Sequence, residues 1–286
     1  MAESTVNSID GLPPLRAVIA ANSLNAKRRL GQHFLLDLNL TRRIAASARD
    51  LSNGTIVEIG PGPGGLTRSL LLEGAKKVIA VERDKRCIKA LAPLVDAAEG
   101  RLSLRYGDAL EMDVNSLGPR PIRIVANLPY NIATPLLIKW LKMGSQISEM
   151  ILMFQLEVAE RITASVGDKT YGRLAVLSNW CAETKFLFRI PARAFTPRPN
   201  VNSAVVRLRP FDQPKFSGYA SDIEMVTAAA FGQRRKTLRR SLGSLGVPVD
   251  QLLDCARING GRRAEELDVA EFSSLAVTFS DLREGP

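Results

Sequence analysis

Apolar residues in this chain recur in short β-rich runs separated by stretches with helical spacing. The runs are 55–59, 78–81, 102–106, 122–126 and 149–154, and the helical stretches between them are 66–72, 85–95 and 134–142. Strand alternating with helix predicts a doubly wound, parallel α/β sheet. Upstream, a short helix is expected after Pro13 or Pro14, with Leu15, Val18 and Ile19 on one face, and another over 37–50. Downstream, 155–164 reads as a helix, 174–181 and 185–190 as strands that carry the sheet onward, and 201–208 as a last strand. The polar, glycine-bearing stretch 166–172 reads as a mobile loop. A Pro- and Gly-containing linker covers 211–218, and the pattern is helical from Asp222 on. The expected organisation is a polar tail (1–11), a large α/β domain (12–211) and a small helical domain (212–286).

The strand ends carry the polar residues. The first run breaks into Gly60-Pro61-Gly62-Pro63-Gly64-Gly65 and then a helix. Glycines allow positive φ and close backbone approach, and a helix N-terminus offers free N–H groups to an anion. The second run ends at Glu82, 22 residues after Gly60, the spacing of an acidic residue that holds a ribose. The third ends in Gly107-Asp108-Ala109. Gly-Asp also makes ordinary turns and caps, but the recurrence of polar strand ends favours a site.

The fourth run ends in Asn127-Leu128-Pro129-Tyr130. Proline lacks an N–H and turns the backbone, which predicts a free Pro129 carbonyl. Asn127 adds a side-chain acceptor, and Tyr130 a flat face for a planar ring. Two acceptors beside an aromatic suit an exocyclic amine on a base. Such an amine is a poor nucleophile until both N–H groups are held and its lone pair is aimed at an electrophile. No strong base is needed, because the proton becomes acidic only as the bond forms. The alternative is a proline turn with Tyr130 as core filler. Phe195, in an extended Pro-rich segment, is either core filler or a second clamp facing Tyr130.

Composition narrows the partner. The net charge is +10 and the pI about 9.8, which favours nucleic acid ahead of a membrane surface. Two basic clusters stand out: Lys27, Arg28 and Arg29, and the run Arg234, Arg235, Lys236, Arg239 and Arg240. At helical spacing Arg235 and Arg239 share a face, as do Lys236 and Arg240. Both clusters read as phosphate-contacting surfaces, against the alternative of solvated faces. No apolar run is long enough to span a bilayer, and the N-terminus lacks the pattern of a secretion signal, so a cytoplasmic protein is expected. Three scattered cysteines make neither a disulfide framework nor a zinc site. His33 is the only histidine, so His-based triads and multi-histidine metal sites are excluded and no metal is expected.

Seven segments in order, GQHFL (31–35), EIGPGPGGLT (58–67), VER (81–83), GDA (107–109), NLPYNIATPLL (127–137), FTPRPNVNSAVV (195–206) and FGQRRKTLRRSL (231–242), carry a resemblance. Over about 15–275 the chain resembles the KsgA-type small-subunit rRNA adenine dimethyltransferase family. The resemblance implies a Rossmann-like class I methyltransferase sheet of seven strands, one antiparallel, with a small C-terminal helical domain. It implies that S-adenosylmethionine donates methyl groups to N6 of two adjacent adenines near the 3′ end of small-subunit rRNA. The expected partner is that rRNA within an immature small subunit, and a monomer is expected.

By the same resemblance, cofactor contacts fall at His33, Leu35, Gly60, Glu82, Asp108 and Asn127, with Gly62 in the loop near the methionine portion. His33 stands where many members have asparagine, and either can donate to the methionine carboxylate. Glu82 takes the ribose and Asp108 the adenine amine. Asn127 and the Pro129 carbonyl hold the target N6, and Tyr130 and Phe195 stack the base. The rival readings are a nicotinamide oxidoreductase, a DNA or large-subunit rRNA adenine methyltransferase, and a non-enzymatic ribosome assembly or transcription factor. The Asn-Leu-Pro-Tyr motif has no role in hydride transfer, the basic C-terminal region argues against the second, and the intact cofactor motifs argue against the third.

Overall fold

In the computed structural model, which describes residues 8–26 and 31–284, the strands in chain order are β1 (Phe34–Leu35), β2 (Thr55–Ile59), β3 (Val78–Glu82), β4 (Leu102–Tyr106), β5 (Ile122–Asn127), β6 (Glu149–Gln155), β7 (Ala182–Ile190), β8 (Phe195–Thr196) and β9 (Ser203–Pro210). Seven of them form one sheet in the order β4-β3-β2-β5-β6-β9-β7, and β1 pairs with β8 in a small antiparallel ribbon. The β2/β3, β3/β4, β2/β5 and β5/β6 pairs are parallel, and β9 runs antiparallel to β6. β2 and β3 are buried along their whole length, as strands covered on both faces should be, which is why their sequences are almost continuously apolar. The strand order reverses between β2 and β5, and ligands of open α/β sheets bind outside the carboxyl ends at such a point.

One polar pair pins the antiparallel register. Met150 lies opposite Leu208, so the neighbouring Glu149 meets Arg209, whose Nε donates to its carboxylate at 2.8 Å. The Arg49 N–H donates to the second Glu149 oxygen at 2.8 Å. A buried ion pair adds little net stability but is costly to break, so it selects one register over its neighbours.

Contacts divide the chain into two units: residues 1–156 with 186–209, and residues 157–185 with 210–286. The expected boundary near 211 therefore marks only one of the crossings, because 157–185 packs with the C-terminal helices. The second unit holds the helices Arg173–Cys181, Ala220–Gly232, Leu238–Ser241, Val249–Cys255 and Val269–Glu284. Its centre is aromatic: Phe231 stacks on Phe272 at 5.5 Å, and Tyr171 meets Phe231 edge-on at 6.0 Å. Among the described residues, no helix is long and apolar enough to cross a membrane.

Several expectations are corrected. Residues 174–181 are a helix, not a strand; their short apolar run fits either period. The helix expected over 85–95 is two, Lys85–Ala90 and Ala92–Ala97, with Pro93 in the first turn of the second. Within 166–172, Tyr171 is 1% exposed and its hydroxyl donates to the Leu267 carbonyl at 2.9 Å, which anchors the stretch expected to be mobile. Ile9, placed in an expected polar tail, is buried in the core of the first unit.

Candidate functional site

One cavity in the first unit opens at the carboxyl ends of β2 to β5. It is lined by His33 and Leu35, by Gly60 and Gly62 of the glycine loop, and by Glu82, Asp108, Asn127, Pro129 and Tyr130. All the expected cofactor positions are thus brought together, although they span most of the first unit's sequence.

The glycine loop is shaped by its residues' special conformations. Gly60 has φ 70° and Gly62 φ 56°, in the left-handed region that glycine tolerates. A Cβ on Gly62 would also lie 3.1 Å from the Phe34 ring, so a side chain there would crowd the ring as well as strain the backbone. Glu82, at the end of β3, holds the loop. One of its oxygens accepts the Gly62 N–H at 3.2 Å, and the other accepts the N–H groups of Arg83 (2.8 Å) and Asp84 (2.7 Å). Burial pushes the Glu82 carboxyl up, while these N–H groups oppose the rise.

Next to it lies a residue that the motif reading passed over. Glu58, on β2, lines the cavity at 1% exposure, and its Oε2 has no hydrogen-bond partner among the described residues. Burial pushes its pKa up to about 8; the nearby Thr67 hydroxyl opposes this, and the Glu82 charge adds to it. Thr67 Oγ1 itself has no partner of normal hydrogen-bond geometry among the described residues, so burial wins. A glutamate inside an otherwise apolar strand was the available signal.

Asp108 behaves both as a turn residue and as a wall of the cavity. Its Oδ1 accepts the Leu110 N–H at 3.0 Å, and its Oδ2 accepts Arg83 Nη1 at 2.9 Å. Asp84 caps the Lys85–Ala90 helix, and the Arg86 guanidinium, with help from backbone and Gln32 donors, holds its carboxyl down to about 2.

At the β5 end the groups are neutral. Asn127 Nδ2 donates to the His33 carbonyl at 3.1 Å, which fixes the amide and leaves Oδ1 as the atom it offers the cavity. Tyr130 begins the Tyr130–Leu141 helix and shares a 2.6 Å hydrogen bond with Ser203 Oγ. The expectation of a free Pro129 carbonyl is corrected: Pro129 caps that helix, and its carbonyl accepts the Ile132 N–H at 3.1 Å. The adjacent Leu128 also lines the cavity, and no described residue donates to its carbonyl. Phe195 is corrected as well. It is 3% exposed, lies opposite Leu35 in the β1/β8 ribbon and belongs to the core, outside the cavity lining. Core filler, the alternative reading, describes it here.

The basic run sits in the second unit. Gln233–Thr237 is a turn between two helices, so the expected continuous helical faces do not form. Arg234 pairs with Glu265 at 2.9 Å and donates to the Lys169 carbonyl, and Arg239 lies 3.4 Å from Asp250. Arg235, Lys236 and Arg240 are exposed, with no ion pair to a described residue. Lys27, Arg28 and Arg29 lie outside the described residues.

The sequence model of the family described as ribosomal RNA adenine dimethylase matches residues 23–281. The chain is 53% identical over 267 residues to the Ribosomal RNA small subunit methyltransferase A of Rhodospirillum rubrum, covering 93% of this chain and 92% of that protein. Among solved structures it is similar to a dimethyladenosine transferase from Plasmodium falciparum, with 27% identity and a TM-score of 0.75 over 87% of this chain and 98% of that one. It is also similar to the 23S rRNA methyltransferase ErmE, with 26% identity and a TM-score of 0.66 over 87% of this chain and 100% of that one.

Proposed function

Because the chain belongs to the ribosomal RNA adenine dimethylase family, we propose that it dimethylates N6 of two adjacent adenines near the 3′ end of small-subunit rRNA, with S-adenosylmethionine as donor. It works in the cytoplasm, as a monomer, on the immature small subunit. The observation that carries this reading is the Asn127 amide, fixed by the His33 carbonyl beside the Tyr130 ring in the same cavity as Glu58 and Glu82.

The residues present fit a cationic cofactor. When bound, S-adenosylmethionine supplies a methyl group on a positively charged sulfur, with an ammonium nearby. Glu58 offers a buried oxygen with no hydrogen-bond partner among the described residues, and a carboxyl in that state ionises readily once a cation is beside it. Glu82, with lone pairs left on the oxygen that holds Gly62, serves the ribose hydroxyls. Asp108 and the wall at Ala109 serve the adenine.

On the substrate side, Asn127 Oδ1 and the Leu128 carbonyl accept the two N–H groups of the target amine. Leu128 takes the part first expected of Pro129, whose carbonyl serves its own helix. Tyr130 stacks the base; such stacking is worth roughly 1–3 kcal/mol and offsets part of the cost of unstacking it from the RNA. The chain's work is placement, with the reacting atoms held roughly 3–3.5 Å apart. Arg235, Lys236 and Arg240 contact rRNA phosphates.

The test is methyl incorporation from labelled donor into immature small subunits, large subunits and duplex DNA, with binding of S-adenosylmethionine and NADH measured in parallel. Incorporation into the immature small subunit, with no NADH binding, is expected. Preferential labelling of large subunits or DNA would overturn the substrate assignment.

A further inference from the structure

His33 lines the cavity and makes three contacts in the first unit, each to another residue of the chain. Its carbonyl accepts Asn127 Nδ2–H at 3.1 Å. Its ring stacks on Tyr130, with centroids 5.5 Å apart and planes 28° from parallel. Its Nδ1 lies 2.8 Å from the Pro197 carbonyl oxygen, in the Pro-rich segment after β8. A carbonyl can only accept, so Nδ1 carries the hydrogen, and in the neutral ring Nε2 then has none. A neutral ring in that tautomer has no hydrogen left for a carboxylate.

We propose that His33 is a positioning residue for the target base: it backs the Tyr130 ring, fixes the Asn127 amide and ties both to the segment around Pro197. This rests on the methyl-transfer reading of the same cavity. Tyr130 is then held at two points, by the His33 ring on one face and by Ser203 at its hydroxyl. The covered face is closed to the incoming base, so the base stacks on the opposite one. A main-chain contact from His33 fixes Asn127 whatever the side chain is; the imidazole adds the hold on Tyr130 and Pro197. An asparagine at this position has no ring to place over Tyr130, so this part of the arrangement is particular to a histidine.

His33 is the chain's only histidine, so its ring nitrogens give isolated signals in long-range proton–nitrogen NMR of the full-length protein. In alkaline buffer the expected spectrum has hydrogen on Nδ1 and none on Nε2, unchanged when S-adenosylmethionine is added. Ring-proton shifts of His33 should move in Tyr130→Ala. Hydrogen on Nε2, before or after cofactor addition, overturns the proposal. In kinetics, His33→Ala should lower kcat by about 10- to 100-fold, the scale of a misplaced reacting group, with calorimetric cofactor affinity unchanged. His33→Phe keeps a flat ring over Tyr130 without the tie to Pro197 and should fall between, which also covers the case of an alanine variant that does not fold. Weakened cofactor binding with wild-type kcat at saturation would assign the side chain to the cofactor. Wild-type kcat in both variants would remove it from the site. Where kcat and cofactor affinity fall together, the NMR tautomer decides. A wild-type protein that transfers no methyl group to RNA refutes the functional reading instead, and the tautomer measurement keeps the two failures apart.

Discussion

At the ends of β2 and β3 the cavity is walled by carboxyl groups, Glu58 and Glu82, whereas at the end of β5 it is walled by neutral acceptors, Asn127 and the Leu128 carbonyl, beside the Tyr130 ring. Burial raises both carboxyls, and Glu58 has an oxygen with no hydrogen-bond partner among the described residues. At the other end the Asn127 amide is already fixed by a main-chain carbonyl. The contrast matches what the proposed function asks each end to hold. A cationic donor is best met by groups that gain when a positive charge arrives. An exocyclic amine needs acceptors that aim its lone pair, and a further carboxylate there would raise Glu58 and Glu82 further.

The largest expected effect comes from erasing the contrast. Asn127→Asp keeps the shape but cannot donate to the His33 carbonyl, and it adds a negative charge at the neutral end. Single-turnover methyl transfer at saturating cofactor and RNA should fall about 100-fold or more, the scale of losing one preorganised polar group. RNA affinity should hold.

Next is Glu82→Ala. Loss of a charged acceptor for buried hydroxyls, at roughly 1.5–3 kcal/mol, should weaken S-adenosylmethionine binding by calorimetry, with no gain in NADH binding. Because Glu82 also holds the N–H groups of Gly62, Arg83 and Asp84, its removal should lower Tm as well.

Glu58→Gln sharpens the comparison through pH. With the folded-state pKa raised from 4.5 to about 8, the stability from the protonated carboxyl is full below pH 4.5 and is lost as pH rises through 8. The variant should show a flatter decline of stability over that window in urea titrations; Glu82, shifted the same way, accounts for what slope remains. Calorimetry in two buffers near neutral pH should find a proton released on cofactor binding to the wild type and fewer released in Glu58→Gln.

The smallest effect on the cavity itself is expected from replacing Arg235, Lys236 and Arg240 together with alanine. Cofactor affinity should stay put. The log–log salt dependence of RNA binding should flatten by roughly 0.7 for each phosphate contact removed. An unchanged slope would take these residues out of the RNA surface.

Much of the first unit was legible because its central strands are buried on both faces. A nearly continuous apolar run ending in a polar residue marked β3 with Glu82 and β5 with Asn127. The half-exposed edge strand β4 was legible only from its β-rich residues and the Gly107-Asp108 turn that follows. What failed was decided by contacts between distant segments. Residues 174–181 became a helix within a helical unit that their own short run could not announce. Pro129 gave its carbonyl to the helix it caps, and Phe195 turned into the core through pairing with Leu35. Glu58 stood out in the sequence only as a glutamate within an apolar strand, and its burial and open position in the cavity come from the fold.

The most direct measurement of the central claim is base-resolved mass spectrometry of small-subunit rRNA after incubation of immature subunits with the wild-type chain and with Asn127→Ala, cofactor saturating in both. N6,N6-dimethyladenosine at two adjacent adenines near the 3′ end in the first sample, and near-complete loss of it in the second with RNA still bound, is the predicted result. Methyl groups on another atom or another base, or a full yield from Asn127→Ala, would contradict the account.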